Sequence, residues 1–179
     1  MISLLYDVNE YRKFLNKEVK MNFTVIELGP HLGQATRLYL DRTKLTVAVD
    51  KSIQAETAIK KLQRDYSNLK FVKGDVRSFY TVEKVLKITK GCDLLAVDMG
   101  GGRFPDTVFK VWAVWSGIFK PKHSIIRNRG LAEFIQRAKI KDASIKKKFP
   151  DDGWMSSWGR TFPYQLKKQM REFKFWVDI

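Results

Sequence analysis

Four short apolar runs, each ending at or beside an acidic residue and each followed by a segment of helical period, constrain this chain more than any other feature. Thr24-Val-Ile-Glu27-Leu leads into Gly29 and Gly33. Leu45 to Asp50, residues 69–73 followed by Gly74-Asp75, and Asp93 to Asp98 repeat the pattern. Short apolar runs alternating with longer amphipathic segments read as strands and helices. Strict alternation with short connections predicts an α/β fold, a doubly wound, mostly parallel sheet with helices on both faces. The interior of Asp93–Asp98 is continuously apolar, as expected of a parallel strand covered on both sides.

The spacing predicts a helix over 6–19, capped by Asp7, with Val8, Tyr11, Phe14, Leu15 and Val19 on one face. Strands are expected at 23–28, 45–50, 69–73, 93–98 and 123–127. Further helices are expected at 32–40 (Leu32, Ala35, Leu38 and Tyr39 in period), 53–66 (Ala55, Ala58, Ile59 and Leu62), 78–89, and from Pro105-Asp106 through Ile118. A helix over 130–141 turns Leu131, Phe134, Ile135 and Ala138 inward. Residues 146–170 are irregular, basic and aromatic, and 173–179 are expected to close an edge of the sheet. The expected organisation is one unit: an α/β domain over 1–145 that opens with a helix, and a basic aromatic extension of it over 146–179.

A 179-residue chain with 44% hydrophobic residues can bury a full core. No apolar run is long enough for a membrane span, no secretory signal is recognised, and the single cysteine, Cys92, allows neither a disulfide nor a Cys-based zinc site. Cys92 lies in an apolar run and is expected to be a buried, inert thiol. A cytoplasmic protein that needs no metal is the expectation. The formal net charge is +15, and residues 120–179 hold 15 Lys/Arg against 6 Asp/Glu. A localised positive field of that kind attracts polyanions, so RNA is an expected partner.

In an open parallel sheet, ligands bind beyond the carboxyl ends of the strands. Glu27, Asp50, Asp75 and Asp98 all fall at that edge. Gly29 and Gly33 corner the turn after the first expected strand, and a helix beginning near Leu32 offers free N–H groups. Asp50 stands where an acid accepts ribose hydroxyls. Asp75 with the Val76 backbone stands where adenine is held, and Asp98 stands where the reactive end of the ligand meets a substrate. A dinucleotide is disfavoured, because His31 replaces the middle glycine of G-x-G-x-x-G and Glu27 would crowd a pyrophosphate. An adenosine carrying a cationic centre and no phosphates suits an acid-rich edge.

These residues resemble the class I S-adenosylmethionine-dependent methyltransferases, in particular a small member of archaeal or bacterial type. Glu27-x-Gly29-x-x-x-Gly33 looks like their first motif, Asp50 like the acid of the second, Gly74-Asp75-Val76 like the third and Asp98-Met99-Gly100 like the fourth. The resemblance covers roughly residues 20–142. It implies a Rossmann-like fold and S-adenosyl-L-methionine as cofactor, held by Glu27, Gly29, Pro30, His31, Gly33, Asp50, Lys51, Asp75, Val76, Asp98 and Met99. Asp98 and Arg127 are the catalytic candidates. Met99-Gly100-Gly101-Gly102-Arg103-Phe104 departs from the Pro-Pro-aromatic sequence common in amino-methyltransferases. The ribose-methylating members pair their acid with two lysines and a glutamate. Asp98 and Lys20 fit that set, but Arg127 stands near the later lysine's place.

The loops after the fourth and fifth expected strands, Gly100–Gly102 and Arg127-Asn128-Arg129, are placed to meet substrate. His123 begins its strand and belongs to the opposite edge. From Lys146-Lys147-Lys148 to Arg160 the chain interleaves cations with Trp154 and Trp158, a pattern suited to stacking bases and meeting phosphates, or to packing over the domain. The expected function is a methyltransferase with RNA among its acceptors. A small-molecule or protein methyltransferase, and a non-catalytic nucleic-acid-binding protein of the same fold, are the alternatives.

Overall fold

A computed structural model describes residues 1–141 and 150–155. Its core is a sheet of six parallel strands in the order β1-β6-β5-β2-β3-β4, formed by Ile2–Leu5 (β1), Phe23–Leu28 (β2), Thr43–Asp50 (β3), Leu69–Lys73 (β4), Leu94–Val97 (β5) and His123–Arg127 (β6). The α-helices are Val8–Glu18 (α1), Ile53–Asp65 (α2), Phe79–Leu86 (α3), Pro105–Phe119 (α4) and Arg129–Arg137 (α5). The doubly wound α/β reading therefore holds, and the described sheet is wholly parallel. The expected strand at 173–179 and most of the basic segment from 146 onward lie outside the described residues.

Alternation along the strands divides the core between two faces. Val25 of β2 packs with Tyr11, Leu15 and Val19 around α1, while Ile26 and Leu28 face the opposite layer with Val82 and Val85 of α3 and Val111 and Trp115 of α4. On the α1 side, α2 buries Ile59 against Leu40, Ala48 and Leu69. Asp7 caps α1 by accepting hydrogen bonds from the Asn9 and Glu10 amides at 2.7 and 3.0 Å, as its sequence position predicts.

Three expectations are corrected. The chain opens with β1, which pairs with β6 from Ile2↔Ser124 to Leu5↔Arg127 and extends the sheet beyond it. Four residues that end one residue short of a helix cap carry too little pattern to announce a strand. The segment 32–40 is no α-helix but turns into two 3-10 pieces, Thr36–Leu38 and Leu40–Arg42. With three residues per turn, Thr36 and Tyr39 fall on one side. Both hydroxyls donate to the same Glu27 Oε2, at 2.7 and 2.6 Å. Finally, α5 ends at Arg137 and its apolar stripe is not buried: Phe134 and Ile135 are 65% and 64% exposed, and Leu131 alone of the four expected inward residues packs against the core.

Candidate functional site

Chain order reverses between β2 and its neighbour β5: β3 and β4 continue to one side, and β6 and β1 to the other. The crevice at the carboxyl ends of such a pair is where this fold places ligands. A cleft of about 550 Å³ opens there, a size suited to one small molecule. Every residue expected to bind cofactor lines it except Gly33, and so do both catalytic candidates, Asp98 and Arg127. Gly33 instead lies against α2, where a Cβ would come within 3.0 Å of Leu62 and Ile59 side-chain carbons.

Gly29 closes the end of β2 with φ +81°, and a Cβ on it would stand 2.3 Å from the Asp98 carbonyl oxygen. What approaches closely here is the end of β5. The Gly29 amide donates to Val49 O and the Asp98 amide to Leu28 O, so β2, β3 and β5 are tied together at their tips. His31 follows with φ 50° and is exposed. Its amide donates to Asp50 Oδ2 at 3.3 Å, while Asp50 Oδ1 accepts from the Ser52 amide at 2.8 Å, so the acid at the end of β3 also holds the turn after β2. No helix N-terminus stands at Leu32.

The acids at this edge are balanced by cations. Arg77 grips Asp75 through Nε at 3.0 Å and Nη2 at 2.7 Å, and Lys51 Nζ lies 3.3 Å from the same carboxylate. Burial pushes the Asp75 carboxyl up, but the hydrogen bonds and charge of Arg77, with Lys51, bring it down to about 2. Arg127 is buried and places Nη2 at 2.6 Å and Nε at 2.7 Å from Asp98 Oδ1. Burial still lifts the Asp98 pKa against that pairing. Glu27 is buried on the floor of the cleft. Burial drives its pKa to about 7, held from going further by the Tyr39 and Thr36 hydroxyls. On α1, Tyr11 is buried with its hydroxyl unpartnered among the described residues.

Among the lining residues outside the expected set are Arg12, Arg77, Phe104 and Thr107. Arg77 directly follows Gly74-Asp75-Val76 and was there to be found. Arg12 was hidden because it rises from α1, an element with no motif in it. Lys20 lies beyond the carboxyl end of α1 and before β2, at the amino edge of the sheet, so it cannot join Asp98 in a catalytic set. His123 starts β6 at that same edge, 2.9 Å from Ser3 Oγ, as expected. Cys92 is partly buried against the core, and burial raises its thiol pKa. No helix among the described residues is long and apolar enough to cross a membrane.

No protein-family model matches the sequence, and no curated protein matches it. Solved structures do. An rRNA methylase from Streptococcus thermophilus superposes with TM-score 0.53 at 13% identity, over 74% of this chain and 80% of its own. A dimethyladenosine transferase from Plasmodium falciparum gives 0.52 at 18%, over 79% of this chain and 49% of its own. The chain has the class I methyltransferase fold. A precorrin-8W decarboxylase from Methanobacterium thermoautotrophicum matches at 0.50 and 19%, over 70% of this chain and 71% of its own, so the fold fixes the place of the site and not its chemistry. The chain spans less than half the length of several structures it matches.

Proposed function

We propose that this protein is an S-adenosyl-L-methionine-dependent methyltransferase whose acceptor is RNA, acting in the cytoplasm, with residues 1–145 as the cofactor domain and 146–179 as its extension. The observation that carries it is the convergence of Glu27, Asp50, Asp75, Asp98 and Met99, from four strand ends, on one cleft at the switch point. The donor set fits the cofactor. Asp50, half-buried at the rim, offers carboxylate oxygens to ribose hydroxyls, and Met99 and Val76 offer apolar walls for a purine. Glu27 on the floor favours a cationic ligand, since a positive charge beside it offsets the cost of its ionisation. Asp75 is already paired with Arg77, so it acts on the adenine end as a fixed ion pair rather than a free acceptor.

Bound there, the cofactor would supply a methyl group on a sulfonium, an activated leaving group, so positioning accounts for most of the rate. Arg127 holds Asp98 in one orientation by a hydrogen bond from Nε and an ion-pair contact through Nη2. Asp98 is then a fixed acceptor for an N–H or O–H of the substrate, aligning its lone pair in line with the methyl group. The RNA assignment draws on the +15 net charge and on likeness to two enzymes whose names describe RNA or adenosine methylation. The test is transfer of a radiolabelled methyl group from the cofactor to fractionated cell RNA, protein and small metabolites. Label in the RNA fraction is expected. Label only in protein or metabolites would move the acceptor, and none in any fraction would leave a binding protein.

A further inference from the structure

Three loops meet at the substrate side of the cleft, and one buried side chain locks them together. Asn128, fully buried at the end of β6, donates its amide to Leu5 O at 3.1 Å and its side-chain Nδ2 to Arg103 O at 2.8 Å. Its Oδ1 caps α5 by accepting from the Leu131 amide at 2.9 Å. Tyr6 follows Leu5, Phe104 follows Arg103 and Arg129 follows Asn128 itself, and all three are exposed.

Their exposure is built. Phe104 stands 60% exposed at φ 57°, a left-handed conformation that a bulky residue adopts only under constraint. Its ring lies over Gly100, where a Cβ would come within 2.9 Å of it, and it lines the mouth of the cleft. Tyr6 is 58% exposed, and the Arg129 guanidinium sits 5.5 Å from its ring centroid. Arg129 passes over Gly102, which also leaves room for Arg127 on its way to Asp98. Phe104 thus stands at the mouth of the cleft that holds Asp98, and the Tyr6–Arg129 pair is tied beside it through Asn128. Aromatic faces next to arginines are how proteins hold unpaired bases and their phosphates, because every base has a π-face and the guanidinium meets the backbone.

The geometry points to Tyr6 and Phe104, with Arg103 and Arg129, as the seat of a single-stranded RNA segment, one of whose bases stacks on the rim as the acceptor nucleotide enters the cleft. This rests on the methyltransferase function above and adds that the acceptor is unpaired and that its base is held by stacking. A duplex, whose bases are already stacked, would not fit.

The probe is a fluorescein-labelled 12-nucleotide RNA with a central 2-aminopurine, compared with the same strand carrying an abasic residue there, on the full chain. Binding is expected to quench the 2-aminopurine. Tyr6→Ala and Phe104→Ala should each weaken RNA binding about tenfold and remove the quench, while Tyr6→Phe keeps both. Tyr6 lies outside the cofactor cleft, so Tyr6→Ala should bind S-adenosylmethionine as the wild type does. Equal affinity for the abasic strand, unchanged binding by both alanine variants, or equally effective competition by a polyglutamate peptide would overturn the stacking seat. A wild type that fails to bind S-adenosylmethionine would overturn the methyltransferase function instead, and the quench would still decide the rim.

Discussion

Glu27 is the residue on which most of this chemistry can be tested. Its pKa is about 7 in the folded protein against 4.5 for the free side chain, so the native state binds the proton more tightly than the unfolded state does. The contribution is favourable at low pH and is lost as pH rises from the unfolded value through about 7. Glu27→Gln keeps an oxygen for Thr36 and Tyr39 and removes the titration. It should be more stable than the wild type at pH 8, by about 3 kcal/mol at most, with the difference closing at pH 5. Thermal denaturation across that range checks it. A cationic ligand above Glu27 lowers its pKa, so cofactor affinity should fall as pH drops below 7 and binding should release a proton. Calorimetry in buffers of different ionisation enthalpy measures that release. Arg127 gives the complementary case. Arg127→Met leaves the partly buried Asp98 without its partner and should cost about 1–3 kcal/mol, read by chemical denaturation, while Asp98→Asn in the same background restores part of the loss.

At the scale of elements, the tips of β2 and β5 are held within contact of one another by the absence of a side chain at residue 29. Gly29→Ala should destabilise the fold by about 2 kcal/mol or more, from the left-handed backbone and the clash with the Asp98 carbonyl. It should also weaken cofactor binding more than its stability loss explains, which denaturation and calorimetry together would separate. This is the motif that the sequence displayed most plainly, yet its physical reason was not visible there. A G-x-x-x-G spacing announces a tight turn, and only the register of β2 on β5 shows what the first glycine approaches. The regular elements were legible because their periods are long and their caps explicit, as with Asp7 before α1 and Pro105 in α4. The segment after Gly33 misled for a tertiary reason. Leu32, Ala35, Leu38 and Tyr39 have helical spacing, but Glu27 is buried opposite and takes two hydroxyls three residues apart. In α5 the period was correctly a helix, while the burial of Phe134 and Ile135 was inferred from apolarity alone, and the described residues place nothing over them.

Across the whole molecule, the acid at each of four strand ends was readable, and their meeting at one cleft follows from the parallel topology that the alternation of elements implies. Of the cations that meet them, Arg127 was readable at the end of its strand and Arg77 stood two residues after Asp75, while Arg12 was hidden on α1, far away in sequence. The edge therefore sets two paired acids, Asp75 with Arg77 and Lys51 and Asp98 with Arg127, around the buried Glu27. The net charge of +15 belongs to this scale too. RNA affinity should fall steeply with salt, with a log–log slope steeper than about −2 if three or more phosphates are neutralised; a titration series at rising potassium chloride gives the slope. The central claim is that the switch-point cleft takes S-adenosylmethionine. Isothermal titration of the full chain with S-adenosylmethionine and S-adenosylhomocysteine tests it most directly, alongside Asp50→Asn, which keeps an oxygen for the Ser52 amide while removing the charge offered to the ribose. One-to-one binding of both ligands, weakened about tenfold by Asp50→Asn, is the predicted result. No binding of either ligand, or binding indifferent to Asp50, would contradict it.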